Sequence, residues 1–241
     1  MNPRSRPFQR LRVAVGTWLG YRREQRRYRE FFHRLGADSD NEWIRKSATV
    51  GGWLFPGEHE FLWRVAMESP PGDVIEVGTW MGKSACILAG TCLTRGDGSV
   101  VYCVDPFDLR GTEWQMAFSR RLIGGRPSTF DAFVRNAQRL GFYEAVITVA
   151  APSEAFLGRV RAPLRLAFLD GSHEYDQVAL ETSLVGPWLV EGGCLAFHDA
   201  TPDFPGVERF VAGLEASAEW EALPRTGSIA AFRKRAGPVR A

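Results

Sequence analysis

The chain has 241 residues, 45% of them apolar and 24% charged, proportions ordinary for a soluble globular protein with one large α/β domain or two small ones. No apolar run approaches the length needed to cross a bilayer, and Val13–Gly20 is too short and mixed for a signal peptide, so a cytoplasmic protein is expected. The net charge of +2 hides an asymmetry: residues 1–34 hold ten arginines and two glutamates, a net +8, which leaves −6 on the rest. Cys86, Cys92, Cys103 and Cys194 are scattered without a Cys-x-x-Cys, and read as reduced core residues rather than a disulfide frame or zinc site.

In chain order, Leu11, Val15, Trp18 and Leu19 recur at helical spacing, as do Tyr28, Phe31, Phe32 and Leu35. Residues 1–50 are therefore read as a basic, helical N-terminal extension. Its arginines suit a solvated helix packed on the domain or on a second subunit of a homo-oligomer. The less favoured reading lays residues 10–35 on an anionic membrane surface or an acidic partner. Nothing there resembles a base-reading element, so no specific nucleic acid is expected. A loop follows over Gly51–Gly57, then a helix from Glu58 to Met67 with Phe61, Leu62 and Val65 on its apolar side. Ser69-Pro-Pro-Gly-Asp73 turns the chain into a first strand, Val74, Ile75 and Val77.

Three nucleotide motifs compete for the turn after that strand. A Walker A loop needs four residues between its first glycine and Gly-Lys-Ser, but Gly78 and Gly82 enclose three. A dinucleotide fingerprint needs a second glycine where Trp80 stands. What remains is Glu76-x-Gly-x-x-x-Gly-x-Ser84, opening a helix from Lys83 to Thr94 with Ile87, Leu88 and Leu93 available for burial. A second strand, Val100–Asp105, ends in an acid that suits ribose hydroxyls in doubly wound folds, or forms a turn before Pro106. Residues 106–127 read as a loop or lid, Thr129–Leu140 as an amphipathic helix, and Ala145–Ala150 as a third strand. Ser153 offers itself as the N-cap of a short helix.

Leu164–Asp170 is a fourth strand, Glu174–Val190 mostly helix with Pro187 disturbing its last turn, and Cys194–Asp199 a fifth strand reached through Gly192-Gly193. A right-handed crossover makes that strand pair parallel, so Asp170 and Asp199 finish at the same edge of the sheet. Two neighbouring carboxylates need a cation, an arginine or a shared proton, and an oxygen-rich pair suits Mg²⁺ or Mn²⁺. His173, one tight turn past Asp170, suits proton removal from a substrate hydroxyl, or is an exposed loop histidine. His198 is a ligand or a buried structural histidine. His33 and His59 receive no role. A helix over Val207–Ala218 precedes a terminal hairpin, Glu219–Leu223 and Gly227–Arg233, which brings the last strand in antiparallel.

Glu76-Val-Gly-Thr-Trp-Met-Gly-Lys-Ser84, Leu169-Asp-Gly-Ser-His-Glu-Tyr175, Leu189-Val-Glu-Gly-Gly193 and Phe197-His-Asp199 together resemble class I S-adenosylmethionine-dependent methyltransferases. The likeness is to the branch of macrocin-type sugar O-methyltransferases and cephalosporin-hydroxylase-like proteins, and covers about residues 50–235. It implies S-adenosylmethionine held by Gly78, Thr79, Trp80 and Gly82, with Ser84 following. Glu76 would support that loop, Asp105 would take the ribose, Ser153 would lie near the adenine and Asp170 would border the cofactor. It further implies a divalent cation on Asp170 and Asp199. Relatives often carry an acid or amide where Ala200 stands, so His198 or the substrate would complete the set.

The expected fold is a Rossmann-like, doubly wound, seven-stranded sheet with an antiparallel last strand, over residues 51–235, followed by a disordered tail at 236–241. The expected reaction is O-methylation of a small molecule or sugar, with His173 as base and Asp170 beside it in the catalytic set. The alternatives are a hydroxylase-like or N-methylating relative, and a non-catalytic scaffold docking a partner through its arginine-rich helix.

Overall fold

The computed structural model describes residues 34–108 and 128–236. The expected basic helix up to residue 33, most of the expected lid (109–127) and the tail from 237 lie outside the described residues. The elements are α1 (Glu42–Ala48), α2 (Glu58–Glu68), β1 (Asp73–Val77), α3 (Lys83–Arg95), β2 (Val101–Asp105), α4 (Phe130–Leu140) and β3 (Val146–Ala150). They continue with α5 (Ser153–Leu157), β4 (Leu164–Leu169), α6 (Tyr175–Val185), β5 (Leu189–Phe197), α7 (Pro205–Glu215), β6 (Trp220–Ala222) and β7 (Ala230–Lys234).

The seven strands lie in the order β3-β2-β1-β4-β5-β7-β6. The first five run parallel and β7 is antiparallel to both its neighbours, as the terminal hairpin requires. The alternation of a pleated strand sorts the core into two layers. Leu166, Phe168, Cys194 and Ala196 face the layer that holds Leu62 of α2, Ile87 of α3 and Phe133 of α4. Ala167, Leu169, Leu195 and Phe197 face the layer that holds Val178 of α6 and Val211 of α7. Each of these fully buried large side chains contributes roughly 1.5–3 kcal/mol of burial, so the helices are held on both faces mainly by this packing. Among the described residues, no helix is long and apolar enough to cross a membrane.

Three local expectations shift. The Gly192-Gly193 pair lies inside β5, where the pairing register with β4 slips between Leu164 and Leu166, and Gly192 takes φ 77°. It is a bulge within one long strand, not a break before a short one. Pro187 sits in a one-turn 3₁₀ helix, Gly186–Trp188, so α6 ends at Val185 and Leu189 already belongs to the sheet. Leu93 is 43% exposed, because the last turn of α3 runs past the helices that cover its first ten residues.

Register is what builds the rim. Val77 pairs with Val104 and with Leu169, and Leu169 pairs with Phe197, so these four form one row. The ladder continues one step further: the N–H groups of Gly78, Asp170 and His198 donate to Val104, Val77 and Leu169. Gly78, Asp105, Asp170 and His198 therefore share the next row, with Glu76 two rows inside it and Asp199 just outside.

Candidate active site

The turn after β1 is held tight by neighbouring backbone. Gly78 takes φ 91° and Gly82 φ 87°, a left-handed region that disfavours any Cβ. A Cβ on Gly78 would overlap the backbone carbonyl of Asp170, and one on Gly82 would lie 2.8 Å from the Phe133 ring. The glycines allow the turn, but the space they leave is filled by the protein itself rather than kept for a ligand. Trp80, in the position that excluded a dinucleotide fingerprint, takes φ 48° and stacks on Trp53 with ring centroids 4.8 Å apart. Lys83 is turned away from the loop: its ammonium donates to the Val50 carbonyl at 3.1 Å, and burial lowers its pKa to about 8. This is not the geometry of a phosphate-binding lysine, in line with the spacing argument.

Glu76 is fully buried in β1. Its Oε2 accepts the Thr79 hydroxyl at 2.8 Å, while Oε1 is buried without a hydrogen-bond partner. Burial raises its pKa to about 7 against the pull of the Ser84 and Thr79 hydroxyls, and the charges of Asp170 and Asp105 add to the rise. A carboxyl whose folded pKa exceeds its unfolded one stabilises fully below the unfolded value, 4.5, and that contribution is lost as pH climbs through about 7. Glu76→Gln is therefore expected to be more stable than the wild type at pH 8.5, by an amount on the order of 3 kcal/mol. The difference should shrink towards pH 5, a comparison that denaturant melts at several pH values would check.

Asp105 ends β2, where its two oxygens accept the N–H of Trp80 at 2.7 Å and of Phe107 at 2.5 Å. Its carboxylate thus ties the tip of β2 to the turn after β1, and burial raises its pKa. Ser153 differs from expectation. It is the first residue of α5, whose N-cap is Pro152, and its hydroxyl donates to buried Glu181 of α6 at 2.5 Å. Pro152 cannot donate and carries no polar side chain, so the helix begins without a side-chain cap.

The tips of β4 and β5 bring four titratable side chains together. His173 Nε2 lies 3.0 Å from Asp199 Oδ2, and His198 Nδ1 lies 3.2 Å from Asp170 Oδ1 and 3.3 Å from Asp199 Oδ1. On the other side of its ring, His198 Nε2 lies 3.3 Å from Oε2 of Glu58, a residue of α2. Strand alternation alone would send Asp199 and His198 to opposite faces. Asp199 escapes it because it takes φ 58°, past the end of β5, which swings its carboxylate back to both histidines. Trp80, Phe107 and Asp199 are the positive-φ residues other than glycine among the described residues, and all three stand at strand tips on this rim. Such strain collects where a site over-determines the backbone.

Electrostatics follow from the crowding. Burial disfavours the His198 cation, but the carboxylates of Asp170, Asp199 and Glu58 outweigh it and raise its pKa well above the usual value. Burial likewise pushes Asp199 and Glu58 up, yet the histidines at Asp199 and His198 at Glu58 hold both below their ordinary values. For Asp170 burial wins and its pKa rises. The groups whose ligand atoms all lie within 4.8 Å of one another are Asp170, His173 and Asp199. His173 thus converges with the two acids, while His198, expected beside them, lies with Nδ1 3.2 and 3.3 Å from the same pair and Nε2 turned to Glu58. Ala200, which stands where relatives often carry an acid or amide, is buried in the core layer beneath. Nε2 of His173 and Nδ1 of His198 are buried and close to acid oxygens, but off the angle of a hydrogen bond.

A family model described as a methyltransferase domain matches residues 75–200, just over half of the chain. The chain belongs to this methyltransferase family. The matched segment runs from β1 to the tip of β5 and contains Glu76, Gly78, Asp105, Asp170, His173 and Asp199. Solved structures share the methyltransferase's fold. The O-methyltransferase NovP superposes with a TM-score of 0.64 at 16% identity, covering 87% of this chain and 98% of its own. An S-adenosylhomocysteine-bound methyltransferase of Podospora anserina, PaMTH1, gives 0.56 at 14%, covering 81% and 86%. The Bacillus cereus O-methyltransferase in complex with S-adenosylhomocysteine gives 0.54 at 17%, covering 80% and 89%. The matched segment holds the β1 turn and the acid-tipped strands, and β7 lies beyond it.

Proposed function

We propose that the chain is an S-adenosylmethionine-dependent O-methyltransferase acting on a hydroxyl of a small molecule or sugar. The observation that carries this reading is the meeting of His173 with Asp199 at 3.0 Å beside Asp170, on the same rim as the glycine turn of a methyltransferase domain. The resemblance to NovP and to the Bacillus cereus O-methyltransferase supports oxygen as the atom methylated. The residues fit the donor. Glu76 has a buried oxygen without a partner, Asp105 is held on the rim by two backbone N–H groups, and α3 begins at Gly82 without a side-chain cap. Bound S-adenosylmethionine supplies a methyl group already activated on a sulfonium.

The protein's own share is then to position, exclude water and take one proton. Asp105 and the Gly78–Gly82 turn hold the donor side, with Glu76 stiffening the turn through Thr79. Asp199, at Nε2, orients the His173 ring, and the other ring nitrogen, Nδ1, receives the hydroxyl proton. Phe204, whose ring centroid lies 4.2 Å from that of His173, covers the imidazole from one side.

A second reading rests on the converging atoms of Asp170, His173 and Asp199 and the misaligned Nε2 of His173. Two carboxylates and an imidazole suit Mg²⁺ or Mn²⁺, and such a cation would lower the pKa of a bound hydroxyl. His173 would then be a ligand, and the acceptor would lose its proton to solvent. Metal removal separates the two. If His173 is the base, methyl transfer to a panel of sugar and phenol acceptors persists after EDTA treatment. If the cation operates, transfer stops and Mn²⁺ restores it.

A further inference from the structure

Glu58 lies 112 residues before Asp170, in a Gly-Glu-His-Glu run that reads as an ordinary acidic first turn of a helix. In the fold it is fully buried and ends a path that leads into the site. Its Oε1 accepts the Ser228 N–H at 2.6 Å and the Ser228 hydroxyl at 2.9 Å. Its Oε2 accepts the Phe55 N–H at 2.5 Å and faces His198 Nε2 at 3.3 Å. A Cβ on Gly227 would overlap this carboxylate, so the turn between β6 and β7 is shaped around it. Beyond His198, the path reaches Asp170 and Asp199 through Nδ1. The His198 ring is flanked by Phe55, at 6.4 Å and 14°, and by Phe168, edge-on at 6.2 Å.

We propose that Glu58 is a positioning residue: anchored by the β6–β7 turn, it fixes the His198 ring, and through that ring Asp170 and Asp199, the latter of which meets His173. The inference rests on the functional reading of Asp170, His173 and Asp199 given above. A merely structural Glu58 would serve only to join α2 to the hairpin. Its hydrogen bonds to Ser228 and Phe55 alone would do that, and nothing would pass beyond His198. A carboxylate that takes the second ring nitrogen of a histidine sets which nitrogen carries hydrogen and which way the ring faces. Here the ring so fixed stands between two acids on separate strands that would otherwise repel each other.

The test uses the full chain labelled with ¹⁵N at its histidine rings, observed at pH 7.5 without cofactor or acceptor, in the wild type, Glu58→Gln and Ser228→Ala. Glu58→Gln is expected to shift the ring-nitrogen signals of His198 and also of His173, which Glu58 does not touch. His59 should report only the local change next to it. Ser228→Ala, which keeps one of the two Ser228 donors, should move the same signals the same way by less, and covers the case of a poorly folded Glu58→Gln. His173 signals unchanged in a folded variant, with His198 alone moving, would overturn the proposal. Calorimetry of the wild type with S-adenosylhomocysteine reads the methyltransferase assignment separately, because the ring spectra need no cofactor. In Glu58→Gln that affinity should stay within about twofold, since the carboxylate faces the acceptor end.

Discussion

His173→Ala is expected to transfer methyl groups about 10²–10⁴-fold more slowly than the wild type, the usual contribution of a well-placed general base. Its affinity for S-adenosylhomocysteine should be nearly unchanged, because the imidazole meets Asp199 and Phe204 and not the β1 turn. Stability should fall little, since the ring contributes no core packing and stays partly exposed. Turnover equal to the wild type would remove His173 from the chemistry. A loss that Mn²⁺ in excess repairs would instead make it a ligand. Single-turnover methyl transfer from labelled S-adenosylmethionine distinguishes these outcomes.

Gly78→Ala should act on the other half of the site and on the fold together. The residue sits at φ 91°, which costs an L side chain roughly 1–2 kcal/mol. The added methyl also meets the Asp170 carbonyl, a backbone atom on the neighbouring strand that cannot rotate away. The sum is expected to reach at least about 3 kcal/mol, with cofactor affinity lost as β1 and β4 are pushed apart at their tips. Gly82→Ala offers a scale. Its φ is similar, but the atom met is the edge of the Phe133 side chain at 2.8 Å, which can tilt, so the loss should be smaller. Denaturant melts of the two variants should rank in that order, and equal stabilities would mean that the strand tips are softer than their register implies.

The order of strands and helices was legible because each β/α unit carries its own period and turn signals, from Val74-Ile-Glu-Val to Cys194-Leu-Ala-Phe. The acids at strand ends were legible for the same reason, since topology alone brings the tips of parallel neighbours to one edge. What the sequence concealed depends on contacts across long separations. Glu58 meets His198 across 140 residues and looks like a solvated helix acid until α2 is placed against the hairpin. Arg165 interrupts an apolar strand, yet is fully buried, with its guanidinium bonded to Gly72, Ser99 and Thr91 at the end of the sheet away from the site. Asp199 escapes the alternation of its strand through a backbone rotation that no residue-level pattern announces. Gly192-Gly193 read as a break because two glycines mark a turn as often as a bulge, and only the pairing with β4 tells them apart. His173, which converges with Asp170 and Asp199, sits in the loop after β4, where the sequence alone also reads as an exposed loop histidine.

At the centre stands one spatial assignment: donor at the Gly78–Gly82 turn and Asp105, acceptor at Asp170, His173 and Asp199, on a single rim. A crystal structure of the wild type soaked with S-adenosylhomocysteine and Mn²⁺ tests it most directly. The expected result is the ribose beside Asp105, the sulfur directed along the rim towards His173, and any bound cation among Asp170, His173 and Asp199. Density for the nucleoside on another face of the sheet, or a cofactor whose sulfur points away from these three side chains, would contradict it.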